Sequence, residues 1–210
     1  MIEILALVIA YLLGSIPSAY YMGKWVKGVD LRTVGSGNLG FTNAWRVLGL
    51  WMSLPVFAFD IGKGAAAVLI ARALSPDLEW LAIAAGLVAI LGHNWTVFLG
   101  FKGGGKGVAA SAGVFAALTP VPFAITFTLF LIILFTTSYM SIASISGAVI
   151  LVTCIYTAHA MHSAFAPSIE VTAFATIAAT MLIVKHKKNI QRLWAGTEPR
   201  IGRSKTEEPS

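Results

Sequence analysis

The sequence predicts an all-α integral membrane protein with seven transmembrane helices, from its composition, its apolar runs and the distribution of its charges. Of the 210 residues, 57% are hydrophobic and only 11% are charged, whereas a soluble domain carries about 25% charged residues. So few ionic side chains cannot cover a soluble globule of this size, which excludes a soluble domain and a disordered chain. The single cysteine, Cys154, excludes an intrachain disulfide scaffold.

The apolar runs have the length that a bilayer requires, which is roughly 20 residues for each helix. Two prolines, Pro120 and Pro122, interrupt the longest run, because proline lacks an amide donor and restricts the residue before it. We therefore divide that run into two helices, of which the first is short for a complete crossing. The predicted apolar segments are 4–22, 50–71, 81–99, 108–136 (divided at the prolines), 142–160 and 171–184.

The charged residues support seven crossings and set the orientation. Thirteen of the fifteen Lys and Arg residues fall on one side of a seven-helix arrangement. The positive-inside rule then places the N-terminus outside and the C-terminus in the cytoplasm. Six crossings would put the basic C-terminal segment on the side of the acidic N-terminus. We expect one membrane-embedded domain, residues 1–200, followed by a polar tail, residues 201–210. The opposite side carries Arg72 and four acidic residues, Glu3, Asp77, Glu79 and Glu170.

A glycine-rich basic segment, residues 102–107, predicts a phosphate site before the helix that begins near residue 108. Glycines let backbone amides converge on an anion, a helix N-terminus favours negative charge, and Lys106 adds a full positive charge. The alternative is a flexible turn whose lysines lie at the membrane interface. A nucleotide-hydrolysing P-loop is excluded, since Gly107 occupies the position where Ser or Thr would hold magnesium. The amides belong to Gly103, Gly104, Gly105 and Gly107.

A second glycine-rich turn, residues 35–40, is followed by Asn43 and Arg46 at helical spacing. Ser36, Asn38 and Asn43 can donate hydrogen bonds to phosphate or hydroxyl oxygens, and Arg46 offers a bidentate fork. The alternative is an interfacial loop that caps the helix containing Arg46. From these residues alone, the two interpretations are equally supported.

Ionisable residues within the apolar runs are costly unless they are paired. Asp60 and Lys63 lie three residues apart, a spacing that allows a structural ion pair on one helix. We favour this pair, which would support the site, over the alternative that the two side chains contact a substrate directly. His93 lies close in sequence to the glycine-rich segment, where it either packs between helices or takes part in the site. His159 and His162 have no further ligands near them in the sequence, so we predict no metal site.

Six ordered blocks together resemble the bacterial acyl-phosphate:glycerol-3-phosphate acyltransferases (PlsY type), across nearly the whole chain. The resemblance implies a seven-helix enzyme of the bacterial inner membrane whose active site faces the cytoplasm. It also implies transfer of a fatty acyl group from acyl phosphate to the 1-hydroxyl of glycerol-3-phosphate. The blocks are Gly14-Ser-Ile-Pro17; Asp30-Leu-Arg32 with Gly35-Ser-Gly-Asn-x-Gly-x-Thr-Asn-x-x-Arg46; Asp60-x-x-Lys-Gly64; Gly92-His93 with Phe101-Lys-Gly-Gly-Gly-Lys-Gly-Val-Ala109; Tyr139-x-Ser141; and Lys185-His-x-x-Asn-Ile-x-Arg-Leu-x-x-Gly-x-Glu198.

The resemblance implies direct attack by the substrate hydroxyl, giving lysophosphatidic acid and inorganic phosphate without an acyl-enzyme, a metal or a cofactor. The partners are acyl phosphate, glycerol-3-phosphate and membrane lipid. A substrate phosphate accepts the proton, or His93 acts as the base. The implied catalytic residues are Ser36, Arg46, His93, Lys106 and Ser141. The implied binding residues are Asn38, Asn43, Gly103, Gly104, Gly105, Gly107, Asn189 and Arg192.

The chain departs from the family pattern at Phe41, Thr96 and Ser138, and by one extra glycine in the segment 102–107. The alternative function is a transporter or binding protein for a phosphorylated metabolite. A transporter should show inverted repeats and charges near the midplane from both halves of the chain, and the polar loops here crowd one face instead. Nucleic-acid binding is not expected, because membrane topology accounts for the basic excess of +6.

Overall fold

In a computed structural model, residues 1–102 and 104–201 are described, and they contain helices and loops without a β-strand. The helices are α1 (Ile2–Ser15), α2 (Ser18–Lys27), α3 (Phe41–Leu48), α4 (Leu50–Leu74), α5 (Glu79–Asn94), a 3-10 turn (Val97–Leu99), α6 (Val108–Leu118), α7 (Pro120–Thr137), α8 (Met140–Ala160), α9 (Ile169–Lys185) and α10 (Lys187–Trp194). The predicted all-α class is confirmed. Gly103 and all of the predicted tail except Ile201 lie outside the described residues.

Five segments are long and apolar enough to cross a membrane, and α9 with α10 forms a sixth if this pair, bent by 53°, is one span. The helix α6 has only 11 residues, as the position of the prolines predicts. It is shorter than the roughly 20 residues that cross a bilayer. The number of crossings therefore stays a prediction. The five segments are Ile2–Lys27, Leu50–Leu74, Glu79–Leu99, Pro120–Thr137 and Met140–Ala160.

The first predicted helix is divided in the structure. The helix α1 ends at Ser15 and α2 begins at Ser18, because Pro17 has no amide hydrogen to continue the ladder. Two short helices lie outside the predicted apolar segments: α3 follows the glycine-rich turn and contains Arg46, and α10 follows α9. These breaks and short helices all lie beside the polar loops.

Glycines bring the helices of the core close together. A methyl group at Gly14 would overlap the Ala89 carbonyl on α5, and one at Gly64 would overlap the Ala110 carbonyl on α6. Small residues at such contacts allow helix backbones to approach closely and pack by van der Waals contact. The result is a tight group of α1, α4, α5 and α6, against which α7 and α9 pack, while α8 packs against α7 and α9.

Candidate active site

A polar cavity of about 190 Å³ lies where three loops and the C-terminal segment meet. It is bounded by α3 and the turn before it, by the first halves of α4 and α8, and by the start of α6. The C-terminal ends of α5 and α9, the middle of α7, and α10 with the residues after it complete its wall. The lining residues are Ser36, Asn38, Gly40, Phe41, Thr42, Arg46, Phe57, Asp60, His93, Lys106, Val108, Ala109, Phe130, Met140, Ser141, Ser144, Lys185, His186, Lys188, Asn189, Arg192 and Glu198.

The cavity brings together eight of the predicted site residues from distant parts of the chain. All five predicted catalytic residues line it, namely Ser36, Arg46, His93, Lys106 and Ser141. Three of the predicted binding residues also line it: Asn38, Asn189 and Arg192. The side chain of Ser141 is buried, and its hydroxyl has no hydrogen-bond partner among the described residues. A buried hydroxyl in this state is able to bind a ligand oxygen.

Asn43 does not line the cavity and instead fixes the loop that carries Ser36. Its Oδ1 accepts a hydrogen bond from the Ser36 amide at 2.7 Å, and its Nδ2 donates to the carbonyls of Leu31 and Val34 at 2.9 and 3.1 Å. Asn43 is 1% exposed, so its amide is fully used within the protein. The structure therefore favours a role in positioning Ser36 over direct contact with a substrate.

The glycine-rich segment also differs from the predicted phosphate cradle. The Gly105 amide donates to the His93 carbonyl at 3.1 Å and is not available to an anion. A methyl group at Gly104 would overlap the backbone of α5 at Asn94, and one at Gly105 would overlap the His93 imidazole. Gly107 has a φ of +81° and precedes α6, in the left-handed region that glycine tolerates. These glycines bring Lys106 against the end of α5, and Gly103 lies outside the described residues.

Lys106 begins a chain of polar contacts that ends at Glu198. Its Nζ donates to Oδ1 of Asn189, and Nδ2 of Asn189 donates to Glu198 Oε1 at 2.7 Å. Arg192 Nε donates to Glu198 Oε2, also at 2.7 Å. The Glu198 carboxylate is 6% exposed and therefore holds both neighbouring side chains in place. We did not predict a role for Glu198, although it ends the last block of the sequence resemblance.

The pKa of Lys106 is lowered to about 8, principally by burial; Arg192 and Arg46 lower it further, and Glu198 opposes them. For Glu198, burial raises the pKa, but the hydrogen bonds from Asn189 and Arg192, the nearby Ser141 hydroxyl and the charge of Arg192 together outweigh burial and hold the pKa below its ordinary value. Burial also lowers the pKa of Arg46, which stays charged at neutral pH because a guanidinium ordinarily titrates above about 12. Partly desolvated cations of this kind bind anions strongly.

The predicted ion pair is present on α4. Lys63 Nζ lies 2.7 Å from Asp60 Oδ1 and also donates to the Ile16 carbonyl at 2.9 Å. Ser18 donates to the same Asp60 oxygen at 2.8 Å, and Nδ1 of His93 lies 3.7 Å from it. The second oxygen, Oδ2, has no partner among the described residues. Asp60 thus ties the break between α1 and α2 to the floor of the cavity.

Some cavity residues were missed by the sequence reasoning. Lys185 and Lys188 belong to a basic segment for which contact with anionic lipid is an ordinary explanation. Their positive charge alone therefore did not indicate that they belong to the site. His186 is buried, and its Nδ1 lies 2.8 Å from the Leu182 carbonyl. Within the described residues no group of three His, Cys, Asp or Glu side chains could hold a metal ion. His159 Nε2 lies 2.9 Å from the Thr172 hydroxyl.

Comparison with known proteins places this architecture in a family. The family model described as glycerol-3-phosphate acyltransferase matches residues 4–196. A glycerol-3-phosphate acyltransferase from Thermoanaerobacter sp. is 41% identical, over 99% of both chains. Glycerol-3-phosphate acyltransferase 1 from Deinococcus radiodurans is 44% identical, over 95% of this chain and 96% of its own.

The fold matches two crystal structures of PlsY (YgiH), an integral membrane glycerol 3-phosphate acyltransferase. The glycerol 3-phosphate form superposes with a TM-score of 0.83 at 36% identity, over 95% of this chain and 96% of that chain. The lysophosphatidic acid form gives a TM-score of 0.81 at the same identity, over 95% of each chain. From its sequence and its fold, the chain belongs to the glycerol-3-phosphate acyltransferase family and is an integral membrane acyltransferase.

Proposed function

We propose that this protein transfers a fatty acyl group from acyl phosphate to the 1-hydroxyl of glycerol-3-phosphate, releasing lysophosphatidic acid and inorganic phosphate. The carrying observation is that the polar cavity continues directly into an apolar groove between α6, α7, α8 and α9. Five residues line both: Phe57, Val108, Ala109, Phe130 and Ser144. A phosphate at the polar end and a hydrocarbon chain at the apolar end are the two parts of one donor molecule.

The charge of the polar cavity fits two phosphate-bearing substrates. Five cationic side chains line it, Arg46, Lys106, Lys185, Lys188 and Arg192, against only two carboxylates, Asp60 and Glu198. Clefts lined by one sign of charge concentrate ligands of the opposite sign. We assign the binding of the two phosphates to these cations, with Ser36, Asn38, Ser141 and Asn189 as further hydrogen-bonding partners.

In the proposed reaction the substrate hydroxyl attacks the carbonyl carbon of the acyl phosphate directly. The new ester C–O bond forms, the bond from carbon to the phosphate oxygen breaks with its electron pair on the phosphate, and the hydroxyl proton leaves with the released phosphate. Because acyl phosphate already has a good leaving group, the main task of the protein is to align the two substrates. Lys106 and Arg46 would stabilise the charge that develops on the leaving phosphate.

The membrane arrangement that supports this chemistry has seven crossings, an outside N-terminus and a cytoplasmic C-terminus. It follows from the basic loops, since the segments that line the polar cavity are also the ones that carry the Lys and Arg residues. The cavity would face the cytoplasm of a bacterial cell, where glycerol-3-phosphate is soluble, at the inner membrane that holds the acyl chain. Residues 1–200 would form this single domain, with residues 201–210 as its polar tail.

The test is phosphate release from palmitoyl phosphate by the purified protein, with and without glycerol-3-phosphate. Lys106→Ala should lower the acceptor-dependent rate by about 100-fold or more, since it removes a half-buried cation from the site of developing charge. Lys102→Ala is the matched control, because Lys102 is exposed in the same segment and does not line the cavity. Release without acceptor, or equal rates in the Lys106 variant, would contradict the mechanism. Tight binding of glycerol-3-phosphate without turnover would indicate the transport or binding function instead.

A further inference from the structure

We infer that the apolar groove encloses only about the first eight carbons of the acyl chain and that Phe115 forms its floor. On this view Phe115 is a specificity-determining residue, which sets how many methylenes contribute to the choice of donor. The inference rests on the proposed function, because it takes acyl phosphate as the occupant of the groove.

The length of the groove is the same on all four helices that form it. Its lining residues extend from 108 to 115 on α6, from 123 to 130 on α7, from 144 to 151 on α8 and from 175 to 182 on α9. Each of these stretches is two helical turns, or about 10 Å of helix. An extended hydrocarbon with C–C bonds of about 1.5 Å advances about 1.3 Å for each carbon. The groove therefore holds about eight carbons along its length.

The direction of the acyl chain in the groove follows from the shared residues. Val108, Phe130 and Ser144 lie at the end that opens into the polar cavity, whereas Phe115, Leu151 and other apolar residues lie at the far end. The reacting carbonyl has to lie near the cations of the polar cavity, so the chain enters the groove with its first carbons beside Ser144. The eighth carbon then lies at the level of Phe115.

Other core side chains pack closely behind Phe115 at the far end of the groove. The ring of Phe115 is 3% exposed and stacks on Phe174 with 5.3 Å between ring centroids. Both rings belong to the main apolar core, together with Leu118 and Ile155. A close-packed interior of this kind does not yield to an entering chain without a cost. Carbons beyond the eighth therefore leave the groove between the helices and lie among the lipid chains.

The middle of the groove offers a second place to change its length. Gly147 lies on its wall, where a methyl group would sit 3.7 Å from the Phe130 ring, in ordinary contact. Alanine therefore fits at this position, while a leucine side chain would fill the groove about one turn below Ser144. Gly147→Leu should shorten the usable groove to about four carbons.

The experiment measures kcat/KM for phosphate release with a series of donors from butanoyl to stearoyl phosphate, at saturating glycerol-3-phosphate. Each enclosed methylene should raise kcat/KM by about fourfold, and this gain should stop near eight carbons. Longer donors also partition more strongly into detergent micelles, so the quantity compared is the ratio of variant to unsubstituted enzyme at each chain length. Partitioning cancels in that ratio, because both enzymes draw on the same donor pool.

For Phe115→Ala, the ratio should rise steeply for donors longer than eight carbons, because the floor has moved away. For Gly147→Leu, it should fall steeply once the donor exceeds about four carbons. The KM for glycerol-3-phosphate should stay the same in both. Phe115→Leu repeats the first comparison with a smaller packing loss.

Two control variants lie outside the groove. Gly62→Leu is at a helical glycine with nothing within 4 Å of its added Cβ. Leu134→Ala is at a buried residue that lines neither the polar cavity nor the groove.

Suppose that the unsubstituted enzyme is active, but that the ratio of variant to unsubstituted kcat/KM does not depend on chain length in the Phe115 and Gly147 variants. This result would overturn the inference and leave the proposed function intact. An unsubstituted enzyme that is inactive with every acyl phosphate would overturn the proposed donor, and the inference with it. A chain-length dependence that appears equally in Gly62→Leu would also overturn the inference, since that residue cannot touch the groove.

Discussion

The polar cavity and the apolar groove meet at five residues, yet the protein builds them in different ways. The cavity is held by specific long-range contacts, such as the one between Lys106 and Asn189, which are 83 residues apart. The groove is formed by the faces of four regular helices with small and aromatic side chains. The cavity therefore depends on a few specific side chains and their hydrogen bonds. The groove depends on its shape, which substitutions on the helix faces can alter in small steps.

The largest effect that separates the two regions is expected for Gly104→Ala. The added methyl group would overlap the carbonyl of Asn94, and a backbone carbonyl at the end of α5 cannot move aside without displacing the segment that carries Lys106. We expect acceptor-dependent phosphate release to fall by about 100-fold or more. Gly62→Ala is the control, because nothing lies within 4 Å of its added Cβ. Unchanged activity in Gly104→Ala would show that the close contact with α5 is not needed.

A smaller effect, about tenfold at neutral pH, is expected for Glu198→Gln. The Glu198 carboxylate raises the pKa of Lys106, which is about 8, so its removal should lower that pKa further. The cationic form of Lys106 is present below its pKa and is lost as the pH rises through it. The alkaline limb of kcat/KM, which reports the free enzyme, should therefore move to lower pH.

The control for the Glu198 variant is Glu79→Gln, at an acidic residue far along the chain that lines neither cavity. A Glu198→Gln enzyme whose pH profile is the same as that of the unsubstituted enzyme would contradict the coupling between Glu198 and Lys106. A profile that is lowered uniformly, without a shift, would indicate that Glu198 acts only through the geometry of Asn189 and Arg192.

The smallest effect is expected for Gly147→Ala in the groove. Its methyl group would lie in ordinary contact with Phe130 and Thr126, and alanine is favoured over glycine in a helix by about 1 kcal/mol. We expect kcat/KM with palmitoyl phosphate to change by less than about threefold, with a thermal midpoint that is the same or higher. A loss of activity as large as the one expected for Gly104→Ala would contradict the proposed difference between the polar cavity and the apolar groove.

The sequence predicted which residues line the site better than it predicted the contacts that these residues make. Charged and polar residues in short ordered blocks identified Ser36, Arg46, His93 and Lys106, all of which line the cavity. It did not predict that Asn43 would be used entirely within its own loop, or that Glu198 would hold Asn189 and Arg192. Residue type indicates that a side chain can form a hydrogen bond, but the partner depends on how the chain folds back.

By itself, the sequence determined the all-α membrane class and the main apolar helices, because hydropathy and helix breakers such as Pro120 and Pro122 act locally along the chain. It also identified three of the five cations that line the cavity, Arg46, Lys106 and Arg192. Only the tertiary structure decided that the cavity opens into an apolar groove lined by residues such as Phe115, because this depends on how closely helices approach at contacts such as Gly64 against Ala110. Such contacts join residues that are distant in the chain, and their geometry is set by packing, which no local pattern records.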